Sequence, residues 1–365
     1  MKVAIIHYWL VNMRGGEKVI ETLLEMFPSA DIYTHVYNPK AMSSLIKGRR
    51  VFTSRINRLP FAKKLYQLYM PLMPKALMDF NLQEYDLVIS SESGPAKGVV
   101  PNPNAYHICY CHSPMRYLWD MYHEYFNKSS ALLRSFMKRL IPELRLWDAV
   151  SANLVDCFIA NSSYVAKRIM RYYNRQSVVV YPPVNIEKYF PVKRDPKDFY
   201  LFFGQLTGYK RADIAIEACI KSGRKLIVAG AGAKKKDIKK NEKSALVRYI
   251  GRVTDESAVV LFSQAKALLY PGIEDFGIIP VEAQSAGCPV IAYRNGGALE
   301  TVKENATGVF FNEQTAESLV AAMDYFEQNE VIYNNREMFN NHVRQFSKES
   351  FIERIHSVLK DRKRR

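Results

Sequence analysis

Short apolar runs recur along the chain, and stretches with helical periodicity separate them. The first run covers residues 2–8; a turn with Gly15 and Gly16 follows it, and apolar residues then recur at helical spacing over residues 17–27. Strand, glycine turn and helix in this order are typical of the start of a doubly wound domain. Further strands are predicted at residues 86–90, 105–111, 156–161 and 178–181, and a helix at 163–172.

A proline-rich segment divides this pattern into two halves. Four prolines among residues 181–196 stiffen the chain and predict a linker. A second alternation follows, with strands predicted at residues 199–203, 225–229, 247–250, 267–270 and 290–292. The chain is therefore predicted to be α/β, with two doubly wound, Rossmann-like domains facing across a cleft. We assign residues 1–185 to the first domain, 186–345 to the second, and 346–365 to a final amphipathic helix with Ser347 as its N-cap and a basic tail.

Length and composition fit an ordinary globular protein. The chain has 365 residues, of which 48% are apolar and 24% charged. No apolar run approaches the ~20 residues that span a bilayer, and the N-terminal run is too short for a signal peptide, so we expect a cytoplasmic protein. Five cysteines, an odd number, predict no disulfide framework. Cys109, Cys111 and His112 lack a second ligand pair at zinc spacing, so no metal is predicted.

A net charge of +16 calls for an anionic partner or another explanation. Residues 47–75 hold eight basic residues and no acidic one, interleaved with aromatic and aliphatic residues, and residues 360–365 add five positive charges. Such a segment predicts contact with an anionic membrane surface, at the inner face of the cell membrane; a solvated helix face and a frayed tail are the alternative. The basic run at 234–243 is interpreted as a solubility feature. Nucleic acid is not predicted as a partner, because no RNA- or DNA-binding module is found and the charge is clustered.

Two carboxylates lie in the most informative segment of the chain. Glu274 and Glu282 are separated by seven residues, within a predicted unit of strand, loop, short helix and strand. Pro280 suits the first turn of that helix and Gly287 its end. Parallel sheets bind ligands at loops that follow the carboxyl ends of their strands, so the two carboxylates are candidates for bracketing a ligand. The alternative is a pair of solvated helix carboxylates.

The start of the same helix is a candidate anion site. The backbone N–H groups of Gly277 and Ile278 are predicted to lie free at its N-terminus, where the helix dipole favours negative charge. An extended ligand with a phosphate in its middle fits this arrangement.

Residues 270–293 resemble the E-x7-E motif of the retaining glycosyltransferases of family four, which have the GT-B fold. The flanking Pro-Gly, Phe-Gly and Ala-Gly-x-Pro-Val-Ile make the likeness specific. It implies that Glu274 contacts the transferred sugar and that Glu282 holds the ribose of the nucleotide. It also implies that the last helix crosses back onto the first domain.

A second glycine loop begins at Gly204, after the strand predicted at 199–203. Members of the family carry Gly-Arg-Leu and then a lysine here, and the two basic residues neutralise the leaving diphosphate as its negative charge grows. Lys210 falls on the lysine position, but Gln205 replaces the arginine. Arg211 or the helix N-terminus is the candidate to supply the missing charge. Val253 lies where family members clamp the nucleotide base through backbone groups.

Residues 108–120 resemble the His-Ser/Thr-Pro-Met-Arg-Tyr-x-Trp-Asp segment of the mannosyltransferase-like branch, which contains O-antigen and capsule enzymes. The likeness implies that His112 contacts the donor sugar, and it places Arg116 on the acceptor side. Gly15, Gly16 and Lys97 are assigned to a loop beside the acceptor and the phosphates. For Gly15 and Gly16, a sharp turn without a ligand is the alternative.

The resemblance extends over nearly the whole chain. It implies a retaining, metal-independent glycosyltransferase that moves a sugar, by preference mannose from GDP-mannose, to a glycan or a polyprenyl-diphosphate-linked acceptor. No cofactor is expected beyond the nucleotide sugar, which is a co-substrate. The alternatives are a UDP-hexose donor, or a sugar-nucleotide epimerase or hydrolase on the same scaffold, which would consume the donor without an acceptor.

Overall fold

The computed structural model describes residues 1–232 and 244–362. The predicted basic run at 234–243 and the last three residues of the basic tail lie outside this range. The chain divides into two compact units, Met1–Pro183 with Ile352–Arg365, and Val184–Phe351. The division between Pro183 and Val184 falls within the proline-rich segment.

The first unit is built on a parallel sheet that has seven strands in the described part of the chain, in the order β3-β2-β1-β4-β5-β6-β7. Its strands are β1 (Val3–His7), β2 (Asp31–Thr34), β3 (Val51–Thr53), β4 (Leu87–Glu92), β5 (Tyr106–Cys111), β6 (Cys157–Ala160) and β7 (Ser177–Val179). The α-helices of its sequence are Gly15–Met26, Ser44–Lys47, Ala62–Leu65, Met73–Ala76, Tyr122–Lys128, Ala131–Ser151 and Ser163–Tyr173. The central strands are continuous apolar runs because helices cover both faces of a parallel sheet.

The second unit is built on a parallel sheet with six strands among the described residues, in the order β10-β9-β8-β11-β12-β13. Its strands are β8 (Tyr200–Phe203), β9 (Leu226–Ala229), β10 (Val247–Gly251), β11 (Leu268–Tyr270), β12 (Val290–Tyr293) and β13 (Gly308–Phe311). The α-helices in this part are Ala212–Lys221, Asp255–Gln264, Ile278–Ser285, Ala298–Thr301, Ala316–Gln328 and Arg336–Val343. Two apolar cores, one on each face of the sheet, bury side chains such as Leu226 and Leu268.

The last α-helix, Lys348–Arg362, starts as predicted. The N–H of Ser350 donates a hydrogen bond of 3.2 Å to the hydroxyl of Ser347, which is the predicted N-cap. Residues from Ile352 onward belong to the first unit, where the Arg354 guanidinium lies 5.5 Å from the centre of the Tyr181 ring.

Strand order reverses once in each sheet of the described chain. In the first unit the reversal lies between β1 and β4, and in the second between β8 and β11. At such a point the connections leave in opposite directions and open a crevice at the carboxyl ends of the strands, where α/β sheets bind ligands. His112 and the loop that holds Glu274 both follow strands at or next to these reversals.

The strands predicted from apolar runs are all present, with ends that differ by at most two residues. One local prediction is wrong. Gly15 and Gly16 do not form a turn before the helix, because the helix itself begins at Gly15. Glu17 stabilises this early start, since its Oε2 accepts a hydrogen bond of 3.0 Å from the N–H of Arg14.

Residues 47–75 contain the strand β3 and, after it, a series of short helical turns. Pro60, Pro71 and Pro74 interrupt the helical pattern, and Phe61 takes a left-handed conformation with φ of 52°. Of the helices that the structure describes, none has the length and apolar character needed to cross a membrane.

Candidate functional site

Lys210 and Glu274, 64 positions apart in the sequence, meet in the second unit. The Lys210 ammonium lies 2.8 Å from the Glu274 carboxylate, and both side chains are mostly buried. Burial works against the charged Lys210, but the Glu274 carboxylate outweighs it and raises the pKa of Lys210. Lys210 therefore carries a positive charge at neutral pH. The structure brings together the predicted sugar contact and the predicted diphosphate contact.

The backbone around this pair is closely packed. A Cβ atom on Gly272 would lie 2.7 Å from Cα of Lys210, so only glycine fits there without a backbone shift. The N–H of Gly297 donates a hydrogen bond of 2.9 Å to the carbonyl oxygen of Glu274. The two loops that follow β8 and β11 are thus held against each other and against the loop after β12.

Gln205 and Arg211 lie where the family resemblance predicts a second positive charge beside the diphosphate. Gln205 follows Gly204 at the end of β8 and is exposed. Arg211 directs its guanidinium to the carboxylate of Asp213, at 2.9 to 3.1 Å, and donates a further bond of 3.3 Å to Gln314. The Arg211 charge is thus paired with an exposed carboxylate, and its predicted contact with the leaving diphosphate stays a prediction.

Gly277 is the N-cap of the helix Ile278–Ser285, and its φ of 96° lies in the left-handed region that favours glycine. Glu282 lies in the second turn of this helix. Burial raises the pKa of Glu282 to about 7, while the Tyr189 hydroxyl and Lys188 oppose the shift. Lys188 itself forms an ion pair of 3.0 Å with Asp255. Glu282 is therefore a poorly hydrated carboxyl with a hydroxyl partner, and its predicted contact with the ribose stays a prediction.

Val253 follows β10, is partly buried, and packs against the core on one face of the second sheet. Its predicted contact with a base through the backbone stays a prediction.

In the first unit, His112 follows the last residue of β5 and joins a chain of polar side chains. Its Nε2 lies 2.8 Å from the Ser91 hydroxyl, which in turn lies 3.0 Å from Nδ1 of His7. Nε2 of His7 lies 3.8 Å from Oε1 of Glu17. A Cβ atom on Gly16 would lie 3.6 Å from Nε2 of His112, so the first turn of the helix Gly15–Met26 covers the imidazole. Burial, with the neighbouring His7, lowers the pKa of His112 to about 3, so this imidazole is neutral at physiological pH.

Sequence reasoning missed His7, Ser91 and Glu17. His7 and Ser91 lie at the carboxyl ends of β1 and β4, which are adjacent, and the strand register pairs them. The available signal was a polar residue at the end of each apolar run, since the carboxyl ends of parallel strands meet at one edge of the sheet.

Lys97 does not line an acceptor or phosphate loop, and this prediction is wrong. Its side chain is completely buried, and its ammonium forms an ion pair with Asp148 and lies 3.7 Å from Glu92. Asp148 also accepts hydrogen bonds of 2.7 Å from the Trp119 indole N–H and 3.0 Å from the Tyr173 hydroxyl. Lys97 is therefore part of an internal polar cluster that a ligand does not reach.

Arg116 lies in the loop after β5, with its Nε 3.5 Å from a carboxylate oxygen of Asp120. Arg168 also contacts Asp120, at 2.5 Å. The Arg116 side chain is about one fifth exposed, and its predicted contact with the acceptor stays a prediction.

Two family models match the chain. The model described as Glycosyltransferase Family 4 covers residues 13–188, and the model described as Glycosyl transferases group 1 covers residues 184–346. The chain belongs to the family-four glycosyltransferases. The narrower resemblance to O-antigen and capsule enzymes within the family stays a prediction.

Curated relatives of this family-four chain include mannosyltransferases. The alpha-1,3/1,6-mannosyltransferase ALG2 of Homo sapiens is 28% identical over 211 residues, which cover 48% of this chain and 51% of the relative. The protein of the same name from Dictyostelium discoideum is 24% identical over 287 residues, which cover 64% of this chain and 65% of the relative. The chain thus spans about half to two thirds of the length of these relatives.

Solved structures confirm the fold predicted for this family-four chain. HepE of Anabaena, in complex with UDP, superposes with a TM-score of 0.73 at 17% identity, covering 99% of this chain and 100% of that one. Sucrose-phosphate synthase of Thermosynechococcus elongatus gives a TM-score of 0.74 at 15% identity, covering 99% of each chain. The architecture is GT-B, with two Rossmann-like α/β units.

Proposed function

We propose that this protein is a retaining glycosyltransferase that transfers a sugar from a nucleotide-activated donor to a glycan or lipid-linked acceptor. The observation that carries the proposal is the Lys210–Glu274 ion pair, at the point of the second sheet where strand order reverses. A cation held beside a carboxylate suits a donor that carries a diphosphate next to a sugar. The diphosphate takes the lysine charge, and the carboxylate accepts hydrogen bonds from sugar hydroxyls.

Each residue then has a separate task. The Lys210 ammonium and the N–H groups of Gly277 and Ile278 hold the diphosphate, and Glu282 binds the ribose. Glu274 and His112 bind the sugar. The bond from the anomeric carbon to the leaving phosphate breaks, and a bond to the acceptor oxygen forms on the same face. The leaving phosphate takes the proton of the acceptor hydroxyl, so no metal and no covalent enzyme intermediate is required.

Mannose from GDP-mannose is the preferred donor. The support is that the curated relatives quoted above are named mannosyltransferases. A UDP-hexose is the second candidate, since the Anabaena structure of the same fold contains UDP. An epimerase or hydrolase on this scaffold would turn over the donor at a useful rate with no acceptor present.

A ligand screen tests the donor and the ribose site together. With EDTA present, we expect GDP and GDP-mannose to raise the thermal unfolding temperature, because a ligand at 100 times its Kd adds ~2.7 kcal/mol to stability. Glu282→Ala should abolish the shift and raise the KM for the donor, since the ribose loses its hydrogen-bond partner. Glu317→Ala, at an exposed position of the helix Ala316–Gln328 in the same unit, is the matched control and should keep the shift.

Each other outcome of the screen has a definite meaning. A response to UDP ligands alone would keep the reaction type and overturn mannose from GDP-mannose. An unchanged shift in Glu282→Ala would exclude Glu282 as the ribose contact. No response to any nucleotide would contradict the proposed activity.

We also propose that residues 61–72 of the first unit contact an anionic membrane that carries the acceptor. Phe61, Leu68 and Leu72 are 73%, 67% and 51% exposed, and Lys63 and Lys64 lie between them. Exposed apolar groups among cations are typical of an interfacial membrane contact.

Vesicle flotation measures this contact. We expect the protein to float with vesicles rich in phosphatidylserine and less with phosphatidylcholine vesicles. Binding should weaken with salt, because charges are screened over ~10 Å at 0.1 M. Phe61→Ser with Leu68→Ser should reduce flotation severalfold, whereas Val331→Ser, at an even more exposed apolar residue of the second unit, should not. Equal flotation of all three proteins, or none, would contradict the membrane contact.

A further inference from the structure

His112 lies at one end of a buried row of polar side chains that begins at the carboxylate of Glu17. The register of β1 on β4 places His7 directly beside Ser91. The Ser91 hydroxyl lies 3.0 Å from Nδ1 of His7 and 2.8 Å from Nε2 of His112. At the far end, Oε1 of Glu17 lies 3.8 Å from Nε2 of His7, and both side chains are almost completely buried. The function proposed above assigns no role to Glu17, His7 or Ser91.

We propose that Glu17 is a positioning residue that fixes the tautomer of His112 through His7 and Ser91. In this tautomer the proton lies on Nε2 of His112, and Nδ1 is left as a hydrogen-bond acceptor.

The argument starts at the carboxylate. A neutral imidazole carries one N–H and one bare nitrogen, and the group next to one nitrogen decides which is which. The carboxylate of Glu17 lies 3.8 Å from Nε2 of His7, too far for a hydrogen bond, but its negative charge in this buried region favours a proton on that nitrogen. Nδ1 of His7 is then bare, so it accepts the hydrogen bond from the Ser91 hydroxyl.

Ser91 transmits the tautomer of His7 to His112. Its hydroxyl has a single proton, and that proton is donated to His7. The Ser91 oxygen therefore interacts with His112 as an acceptor, and Nε2 of His112 must carry the N–H that it receives. Because the pKa of His112 is lowered to about 3, the imidazole stays neutral and the choice of tautomer is the remaining variable.

Glu17 is itself held in place. Its second oxygen, Oε2, accepts a hydrogen bond of 3.0 Å from the backbone N–H of Arg14 at the start of the helix Gly15–Met26. The oxygen that faces His7 is thus fixed by backbone geometry.

The consequence for catalysis rests on the proposed function. If His112 meets the donor sugar, a bare Nδ1 accepts a hydrogen bond from a sugar hydroxyl, whereas the other tautomer presents an N–H. The row of polar side chains therefore determines which sugar groups His112 recognises, although Glu17 does not touch the substrate.

Glu17→Gln provides a sharp test. The amide oxygen keeps the bond from the Arg14 N–H, so the amide NH₂ faces Nε2 of His7, and its N–H dipole favours a bare nitrogen there. The chain of donors then reverses, and the proton of His112 moves from Nε2 to Nδ1. Glu21→Gln is the matched control, since Glu21 lies on the same helix and pairs with Lys18 at the surface.

Nitrogen chemical shifts of ¹⁵N-histidine in the ligand-free, full-length protein distinguish protonated from bare ring nitrogens. We would record them at about pH 8, above the ordinary histidine pKa of ~6.5. His112→Gln and His7→Gln variants assign the two signals. We expect His112 protonated at Nε2 in the wild type and in Glu21→Gln, and at Nδ1 in Glu17→Gln.

Other outcomes overturn the inference. These are a bare Nε2 on His112 in the wild type, a His7 protonated at both nitrogens, or the same His112 tautomer in Glu17→Gln. If Glu17→Gln does not fold, Ser91→Ala takes its place and should remove the preference for Nε2–H; a preserved preference would overturn the inference. The readout needs no donor, so it fails or succeeds independently of the proposed transferase activity.

Discussion

Lys210→Ala is expected to lower kcat for sugar transfer by about 10²–10³-fold, the usual loss when one group that stabilises developing negative charge is removed. The departing nucleoside diphosphate gains negative charge in the transition state. Gln205 contributes no charge to it, and Arg211 is paired with Asp213. Lys210 and the amides at the helix N-terminus therefore carry most of the stabilisation, and the KM for the donor should change less than kcat.

The rate is measured as release of the nucleoside diphosphate from the donor that the ligand screen selects, with a lipid extract as the acceptor. Lys225→Ala is the matched control, because Lys225 pairs with Asp198 at the surface of the same unit. It should keep nearly full activity, and Lys210→Arg should keep part of it. A loss below about tenfold in Lys210→Ala, with an unchanged unfolding temperature, would contradict the role.

The Lys210–Glu274 pair shows how far local patterns predict a site. Each residue lies in a glycine loop directly after a buried strand, so each was recognisable from its own surroundings. Their contact depends on β8 and β11 being neighbours in the sheet, which local sequence does not specify. The family resemblance predicted that both residues contact the same donor.

The positions of His7, Ser91 and Lys97 could not be predicted from local sequence patterns. His7 and Ser91 become partners only through the register of β1 on β4. Lys97 follows a Gly-Pro-Ala stretch that suggests an exposed loop. Its partner Asp148, 51 positions later, stabilises the buried ammonium. Burial of a charge depends on its distant partner, and the sequence around the lysine carries no sign of it.

Three strands were missed for a related reason. β2 and β13 are short and lie in segments where polar residues or glycine interrupt the apolar run, and β3 is an edge strand whose residues are largely exposed. β3 depends on its pairing with β2, whereas β2 and β13 are buried but too short to stand out as apolar runs. The central strands are buried on both faces, so their sequences alone predicted them.

The internal cluster around Lys97 has the largest expected effect on stability. Burial raises the pKa of Glu92 to about 8 even with Lys97 beside it, so this region is poorly hydrated. Lys97→Met would leave the Asp148 carboxylate buried without its counter-charge. Breaking a buried pair by removing one partner typically costs about 3–5 kcal/mol, and we expect a loss of this size in the free energy of unfolding from a urea titration.

Two further variants separate the charge effect from general disruption of the core. Lys97→Met with Asp148→Asn removes both charges but keeps an amide oxygen to accept the bonds from Trp119 and Tyr173, so it should regain at least half of the loss. Lys221→Met breaks exposed ion pairs with Glu217 and Glu317 and should change the free energy of unfolding little. If Lys97→Met does not fold, the double variant must still fold. A single variant as stable as Lys221→Met, or a double variant no better than the single one, would mean that charge pairing does not stabilise this cluster.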